Sequence, residues 1–451
     1  MNKQKLVRAF AIATVASLGL LVSNSILLAD GTGAVRVPWT GPAPKANCGP
    51  FDWTESGLQG QTTAWERLSG DSEGGYNCNL ELVGQFRGEG AFSQDGPAYL
   101  DHCAYYATEN DPLQQHPGVV VLDVSDPRHP RPTAYLDDTP AALNPHENLK
   151  VNQARKLLGV AESNGPNFAV YDLSNCAHPI LKSSITVPGS LGHMGGWAED
   201  GMTYYIGQNF RGVGGTMPVI DVADPSNPKV LLTWTFNGDG RPHDLTTNKD
   251  GTRLYVVQPG SFGAAANSSS FGPELLVILD VSDIQFRRPN PQIRIVSKIG
   301  WGDQGAGGGA AAPRILQRAP AHPHHVRVRA PGGAGGLAAA CARGVGAYGY
   351  VHIVDISDET NPKIISELMD EVHDRRNCEA MLKEPPEVGG GILDYSIERC
   401  NVDRPENPTM AACGSSRCRH PSFRHSRSLP PCRDRVLEGA GSADGFPSRI
   451  R

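Results

Sequence analysis

The feature that most constrains the fold is a short pattern that the chain repeats five times. The stretch "VVVLDVSDPRHP" at 119–130 has an apolar run that ends in Asp and then enters a turn rich in Ser, Asp and Pro. Related stretches lie at 168–185, 217–234, 275–299 and 351–368. A unit that recurs along a chain in this way predicts a repeat architecture rather than one irregular domain.

The Asp that ends each apolar run is predicted to be a structural turn residue. Asp and Asn side chains accept hydrogen bonds from backbone N–H groups two residues ahead, and Pro presets the turn dihedral angle. A catalytic carboxylate occurs once or twice in a site, whereas this one returns in every unit. The five turn residues are Asp123, Asp172, Asp221, Asp280 and Asp355.

A second pattern precedes several of these hairpins, in which a His opens a strand and a polar turn leads to another strand. It is clear at 146–162, 193–208 and 243–258, and weaker at 102–108 and 324–333. Each unit therefore holds four strands in about 50 residues, a period typical of a propeller blade. The predicted fold is all-β, a β-propeller of six or seven four-stranded blades.

The stretches "VVVLDVSDPRHP", "MPVIDVADPSNP" and "VHIVDISDETNP" resemble the LVIVD repeat of exported bacterial β-propellers. The resemblance covers roughly residues 90–370. It implies a propeller fold and an extracytoplasmic location, and it leaves the ligand open.

Composition and the N-terminus indicate an exported protein that does not bind nucleic acid. The net charge is −6, so no excess of positive charge would draw the chain to a polyanion. Residues 1–29 have a basic start and an apolar stretch, as in an export signal that is either cleaved near Asp30 or retained as an anchor. No later segment is expected to span a membrane. The expected location is periplasmic, secreted or cell-surface.

The ten cysteines are expected to form disulfides, because disulfides persist outside the reducing cytosol. Cys48 with Cys78, and Cys378 with Cys400, are plausible loop staples. Sequence alone does not fix the pairing.

Along the chain, we expect four regions. The export signal occupies 1–29, a loop-rich lead-in with a candidate first or closing strand occupies 30–89, the propeller occupies 90–414 with a Gly/Ala/Arg-rich insertion at 305–343, and an atypical, disordered tail occupies 415–451.

The tail departs from the rest in composition, with eight Arg and no Lys from Ser415 onward. Where another Asp-turn hairpin is due, none follows. We hypothesise that the tail lies outside the reading frame in which the fold evolved, or is a lineage-specific extension, and the same suspicion applies more weakly to 305–343. If it is out of frame, the last blade is incomplete. Sequencing the gene with its downstream bases tests this, because the hypothesis fails if no shifted frame encodes an Asp-turn strand.

The strand-opening histidines are the main candidates for chemistry. If they lie on inner strands, symmetry would bring them together at the channel mouth, where imidazoles suit Zn, Cu or Fe. Glu147 and Asp244, each directly after a His, could add oxygen ligands or hydrogen-bond the histidines that bind the metal. The alternative, which we favour, is that each His hydrogen-bonds a neighbouring blade. The candidate metal ligands are His102, His146, His193, His243 and His324.

The sequence thus favours an exported binding or scaffolding module whose ligand is a protein, glycan or small molecule at the channel face. The alternative function is a metal-dependent redox or hydrolytic enzyme that uses the histidines. No other catalytic motif is recognisable, and catalytic residues are left unassigned.

Overall fold

The fold is described from a computed structural model of the full chain. The structure describes residues 41–86, 97–107, 116–145, 149–208, 215–236, 242–258, 275–300, 314–318, 322–327, 337–338, 341–342, 344, 346, 348–384, 395–402, 411–415 and 435–436. The export signal and almost all of the tail lie outside these ranges.

Six antiparallel sheets follow one another along the described chain, and the strands within each sheet pair in chain order. Sheet 1 contains β1 (Ala98–Leu100), β2 (Cys103–Ala107), β3 (Val119–Asp123) and β4 (Arg131–Leu136); sheet 2 contains β5 (Leu149–Asn152), β6 (Leu157–Ala161), β7 (Asn167–Asp172) and β8 (Ile180–Thr186); sheet 3 contains β9 (Gly192–Trp197), β10 (Thr203–Gln208), β11 (Thr216–Asp221) and β12 (Lys229–Thr235).

The second half of the series continues in the same way until its last member. Sheet 4 contains β13 (Asp244–Thr247), β14 (Arg253–Gln258), β15 (Leu275–Asp280) and β16 (Arg294–Gly300); sheet 5 contains β17 (Arg314–Arg318), β18 (His322–Arg327), β19 (Val351–Asp355) and β20 (Lys363–Leu368); sheet 6 contains β21 (Ile397–Val402), β22 (Ala411–Ser415) and β23 (Arg435–Val436). The predicted all-β propeller is confirmed, with five four-stranded sheets and one three-stranded sheet among the described residues.

Helices are few and short. They are α1 (Ala64–Ser69), α2 (Asp71–Gly74), α3 (Pro140–Leu143), α4 (Ser282–Gln285) and α5 (Cys378–Leu382), with 3-10 turns at Glu371–His373 and Arg375–Asn377. Within the described ranges, none of these helices has the length and apolar character needed to cross a bilayer.

Consecutive sheets pack face to face through buried apolar side chains. Neighbouring residues of a strand point to opposite faces, and Tyr204 and Tyr205 show the result. Tyr204 packs toward sheet 2, with its ring centroid 4.7 Å from that of Phe168. Tyr205 lies in the cluster shared with Leu254 of sheet 4. Sheets 1 and 2, 4 and 5, and 5 and 6 share similar clusters.

Polar side chains also join neighbouring sheets. Arg155, in the β5–β6 turn, donates to the carbonyl oxygens of Gly201 and Val222 in sheet 3, each at 2.8 Å. Tyr255 of sheet 4 donates to Glu359 at 2.5 Å, in the turn after β19. Burial and the Glu359 carboxylate raise the pKa of Tyr255 well above its usual value. These contacts hold the turns of one sheet against the backbone of the next.

The repeated Asp residues make the same local hydrogen bond in all five hairpins. The Oδ1 atom of each accepts from the backbone N–H two residues ahead, at 2.7 to 3.0 Å. In three copies the second Asp of the turn repeats this bond at 3.0 Å. The turn is thus built from two short-range acceptors in succession. The first acceptor in each of the five turns is, in chain order, Asp123, Asp172, Asp221, Asp280 and Asp355.

The lead-in contacts sheet 1 and also the segment between sheets 5 and 6. Near its start, Gln59 donates its N–H to Glu371 at 2.7 Å, and Arg67 donates to the Tyr395 hydroxyl at 3.0 Å. At its far end, the ring of Phe86 lies 6.2 Å from that of Tyr106 in sheet 1. Residues 41–86 therefore reach from the segment between sheets 5 and 6 to sheet 1, and they contain helices but no strand.

Four disulfides link the eight cysteines that lie within the described residues. They are Cys48–Cys78, Cys103–Cys176, Cys341–Cys378 and Cys400–Cys413. The pairing of Cys48 with Cys78 agrees with the expectation, but that of Cys378 with Cys400 was wrong. Cys400 lies directly opposite Cys413 in the β21–β22 register, so strand pairing selects a different partner.

The turn hydrogen bond gives a prediction for Asp172. Bonds from the hydroxyl and N–H of Ser174 lower the pKa of this carboxyl group. A depressed folded-state pKa stabilises the fold above the unfolded-state value near 4 and loses that effect as the pH falls through the folded value. We expect Asp172→Ala to cost about 1 kcal/mol at pH 7, and the difference from wild type to shrink at acid pH.

The measurement is urea unfolding of both proteins between neutral and acid pH. Asp172→Asn is the matched control, because it keeps an acceptor oxygen without the charge and should lose less stability. A gap between wild type and Asp172→Ala that widens in acid would contradict this assignment.

Candidate functional site

The candidate site lies where the first strands of sheets 2, 3 and 4 contact one another. These strands, β5, β9 and β13, lie side by side although each belongs to a different sheet. Glycines in β9 and β10 permit the close approach of these two strands to the start of β13. A Cβ atom on Gly196 would lie 2.8 Å from the Leu245 carbonyl oxygen, and one on Gly207 would lie 2.2 Å from that of His243. Side chains at either glycine would push the strands apart.

Two of the predicted histidines meet at the beginning of these strands. His193 is the second residue of β9, and His243 immediately precedes β13. Their ring centroids lie 4.5 Å apart in an edge-to-face arrangement, and both residues are almost fully buried. The backbone N–H of His243 donates to Val257 at 2.8 Å, which fixes the entry into β13. The sheet packing thus brings together two imidazoles that are 50 positions apart in sequence.

A buried ion pair lies beside the histidines. Asp244 is fully buried, and its Oδ1 atom accepts from Leu245 N–H at 2.8 Å and lies 3.4 Å from Lys150 Nζ. The Lys150 side chain retains 19% exposure, whereas the Asp244 side chain retains none. The Lys150 carbonyl accepts from Trp197 Nε1 at 2.7 Å. This contact ties β5 to β9 at the ion pair.

The charge of Asp244 influences an aromatic neighbour. Burial and the negative charge of Asp244 raise the pKa of Tyr204 well above its usual value. Tyr204 therefore stays neutral and serves as packing between sheets 2 and 3, with its ring 5.0 Å from that of Trp197.

Two of the other three predicted histidines lie in other sheets. His102 lies in the turn between β1 and β2, because β1 begins earlier than the sequence pattern suggested. His324 lies within β18, the second strand of sheet 5, and not at the start of the first. His146 lies outside the described residues. The equivalence expected from the repeat thus extends to His193 and His243 among the residues described.

Sequence reasoning missed Lys150. The sequence feature that could have identified it is a cationic residue between two apolar residues, Leu149 and Val151, in a strand that the repeat pattern places next to other strands. Nothing local marks its partner, since Asp244 lies 94 residues further along the chain.

Among the described residues, His193 and His243 belong to no group of three or more His, Cys, Asp or Glu residues whose ligand atoms lie within 4.8 Å of one another. Two groups of three or more potential ligand residues lie close together there, and neither includes His193 or His243. Each of the two groups contains a disulfide-bonded cysteine pair. Since zinc sites in proteins use three or four protein ligands, the described residues fit a hydrogen-bonding polar site better than a complete metal centre.

Family comparison bears on the repeat itself. Residues 345–370, which span β19, the Asp355 hairpin and β20, match the LVIVD repeat family. The chain carries an LVIVD repeat. This confirms the resemblance seen in the sequence, and the shared Asp hydrogen bond extends the LVIVD-type hairpin to the four earlier units. A search of curated proteins finds no match to the chain.

Several solved structures are similar to the chain. The hydrazine synthase of Kuenenia stuttgartiensis has 13% identity and a TM-score of 0.37, over 57% of this chain and 62% of that one. A protein described as a candidate 6-phosphogluconolactonase from Bacteroides fragilis has 12% identity and a TM-score of 0.38, over 62% and 70%. A hypothetical selenium-binding protein from Sulfolobus tokodaii has 11% identity and a TM-score of 0.33, over 45% and 53%. The chain spans about three fifths of the length of the hydrazine synthase chain.

The buried ion pair predicts an asymmetric response to substitution. Lys150→Met leaves a fully buried carboxylate without this cation, which we expect to cost about 3 kcal/mol, since breaking a buried pair is strongly destabilising. Asp244→Asn should cost less, because Lys150 can extend its ammonium group into solvent. The double variant should be more stable than Lys150→Met alone.

Thermal and urea unfolding of the three variants measure this order. Equal losses of unfolding free energy in the two single variants would contradict the burial of the Asp244 carboxylate on which this order depends.

Proposed function

We propose that this chain is an exported β-propeller module that binds a polar ligand at the face where β5, β9 and β13 begin. The observation that carries the proposal is the meeting of His193, His243 and the Lys150–Asp244 pair at one end of three neighbouring strands. A set of this kind at a strand end suits recognition of a polar group.

The connections at this end of the sheets support the same location. Asp244 pairs with Val257 in the β13–β14 register, so β14 ends where β13 begins. The last residue of β14, Gln258, therefore lies at the end of sheet 4 that holds His243. In sheet 3, Gln208 pairs with Gly192, so β10 ends beside the start of β9. Binding residues are often found on loops that a rigid scaffold positions.

The histidines and the ion pair suggest the class of ligand. Imidazole rings donate and accept hydrogen bonds, and an ammonium group adds up to three donors. A small polar molecule, a glycan hydroxyl or a polar protein side chain fits this set. The scaffold role follows if the ligand belongs to a protein or a glycan of the cell envelope.

Four disulfides support export, because such bonds persist in oxidising compartments. We expect protein recovered from the periplasm or medium of an expressing bacterium to begin near Asp30 on N-terminal sequencing. Membrane-bound protein that retains Met1 would favour anchoring instead. Cytosolic protein with reduced cysteines would contradict export.

Ligand binding is tested by thermal shift with the untagged protein and a panel of sugars, dicarboxylates and amines. We expect a compound that raises the melting temperature of wild type to have no effect on a folded His193→Ala/His243→Ala variant. His129→Ala is the matched control, because His129 lies in the sheet 1 hairpin with a side chain 76% exposed. A compound that stabilises the double variant as much as wild type would place the ligand elsewhere.

The second candidate function is a metal-dependent redox or hydrolytic enzyme, favoured by the contact between His193 and His243. Metal analysis of untagged protein separates the two functions. A transition metal present at one equivalent, lost in the double variant and kept in His129→Ala, would favour the enzyme. Less than about a tenth of an equivalent would exclude it, because a resident metal ion is held tightly.

A further inference from the structure

The side chains of one histidine and two cysteines lie close together at the boundary between sheets 1 and 2. Cys103 begins β2 of sheet 1, and Cys176 lies in the β7–β8 hairpin of sheet 2. Their disulfide joins the two sheets across 73 residues of sequence, with the Cα atoms 5.8 Å apart. Tyr105 strengthens the same joint by donating its hydroxyl to the Cys176 carbonyl at 2.9 Å.

The imidazole of His102 lies against this disulfide. Its Nδ1 and Nε2 atoms are 3.9 and 3.8 Å from Cys176 Sγ. Ligand atoms of His102, Cys103 and Cys176 all lie within 4.8 Å of one another. The His102 backbone is fixed by Val124, whose N–H donates to the His102 carbonyl at 2.8 Å. Since His102 is exposed while both cysteines are buried, the imidazole forms the solvent side of the group.

The other disulfide with a third ligand residue differs in a decisive way. Beside Cys48–Cys78, the carboxylate of Asp52 already accepts from the N–H groups of Gly49 and Asn79, each at 2.7 Å. It also accepts from the Asn77 side chain at 3.0 Å. Asp52 thus organises its own loop, whereas the His102 ring contacts a disulfide sulfur.

We propose that reduction of Cys103–Cys176 creates a soft-metal site with His102 as the third ligand. A dithiol or phosphine reductant supplies two electrons, which with two protons convert the disulfide into two thiols while the reductant is oxidised. A divalent ion such as Zn²⁺ then binds both sulfurs and one imidazole nitrogen and displaces the two thiol protons. The two thiolates balance the charge of the ion, and thiolate and imidazole ligands suit zinc.

The spacing of the group fits such an ion. With Zn–S of 2.3 Å and Zn–N of about 2.0 Å, tetrahedral geometry places sulfur and nitrogen about 3.5 Å apart and two sulfurs about 3.8 Å apart. The distance from Cys176 Sγ to the His102 ring is already close to the first value. The ring has to turn so that one nitrogen points at the metal. The exposed side leaves a fourth position for water.

The site has a structural consequence for sheets 1 and 2. In the oxidised protein the disulfide joins them, and in the reduced protein the metal takes its place at the same point. Reduction without metal removes the covalent joint, so metal should restore stability only after reduction.

The experiment uses the full chain, reduced anaerobically with a phosphine, and Co²⁺ as the spectroscopic probe. We expect reduced wild type to bind Co²⁺ with thiolate charge-transfer absorption that Zn²⁺ abolishes, and the oxidised protein to show none. His102→Ala, which retains the disulfide, should bind Co²⁺ at least about tenfold more weakly after reduction, because it loses a ligand. Cys176→Ser should lose the absorption of this site. Cys48→Ser/Cys78→Ser is the matched control and should behave as wild type.

Differential alkylation with mass spectrometry establishes which cysteines are reduced, and circular dichroism establishes that the β-sheet fold persists. The proposal is overturned if His102→Ala binds Co²⁺ as tightly as wild type, or if reduced wild type shows no thiolate absorption. It is also overturned if Cys103 and Cys176 resist reduction under all conditions that preserve the fold.

Discussion

Each sheet of this protein has two apolar faces, and neither can be buried within the sheet itself. The adjacent residues Tyr204 and Tyr205 show the constraint, since one packs against the preceding sheet and the other against the following one. Apolar surface is therefore buried between neighbouring sheets rather than within a single sheet. The candidate site depends on this packing, because His193, His243 and Lys150 meet only when three sheets are in place.

The parts of the fold that could be predicted from sequence are those set by local interactions. The Asp172 carboxylate bonds to an N–H two residues away, so its role is written in adjacent residues and recurs with the repeat. The strand before it alternates between two buried faces and reads as an apolar run. The contact of His193 with His243 could be anticipated because repetition places equivalent residues near each other.

The parts that sequence could not supply depend on contacts between distant residues. Lys150 pairs with Asp244 across 94 positions, and nothing near either residue signals the other. In sequence, His102 resembled the other strand-opening histidines. In the structure the short strand β1 precedes it, so His102 lies in the turn between β1 and β2 and does not open the first strand. Cys378 was assigned the wrong partner because strand register, rather than spacing, sets Cys400 opposite Cys413.

The lead-in has a consequence for the order in which the protein can acquire its structure. Gln59 contacts Glu371 across 312 residues, and Thr62 contacts Tyr395 across 333 residues. The lead-in is thus synthesised long before the residues with which it forms these contacts. Closing such long loops is slow. Residues 41–86 can therefore dock only after the segment that contains Glu371 and Tyr395 has been synthesised. We expect this docking to be a late step in folding.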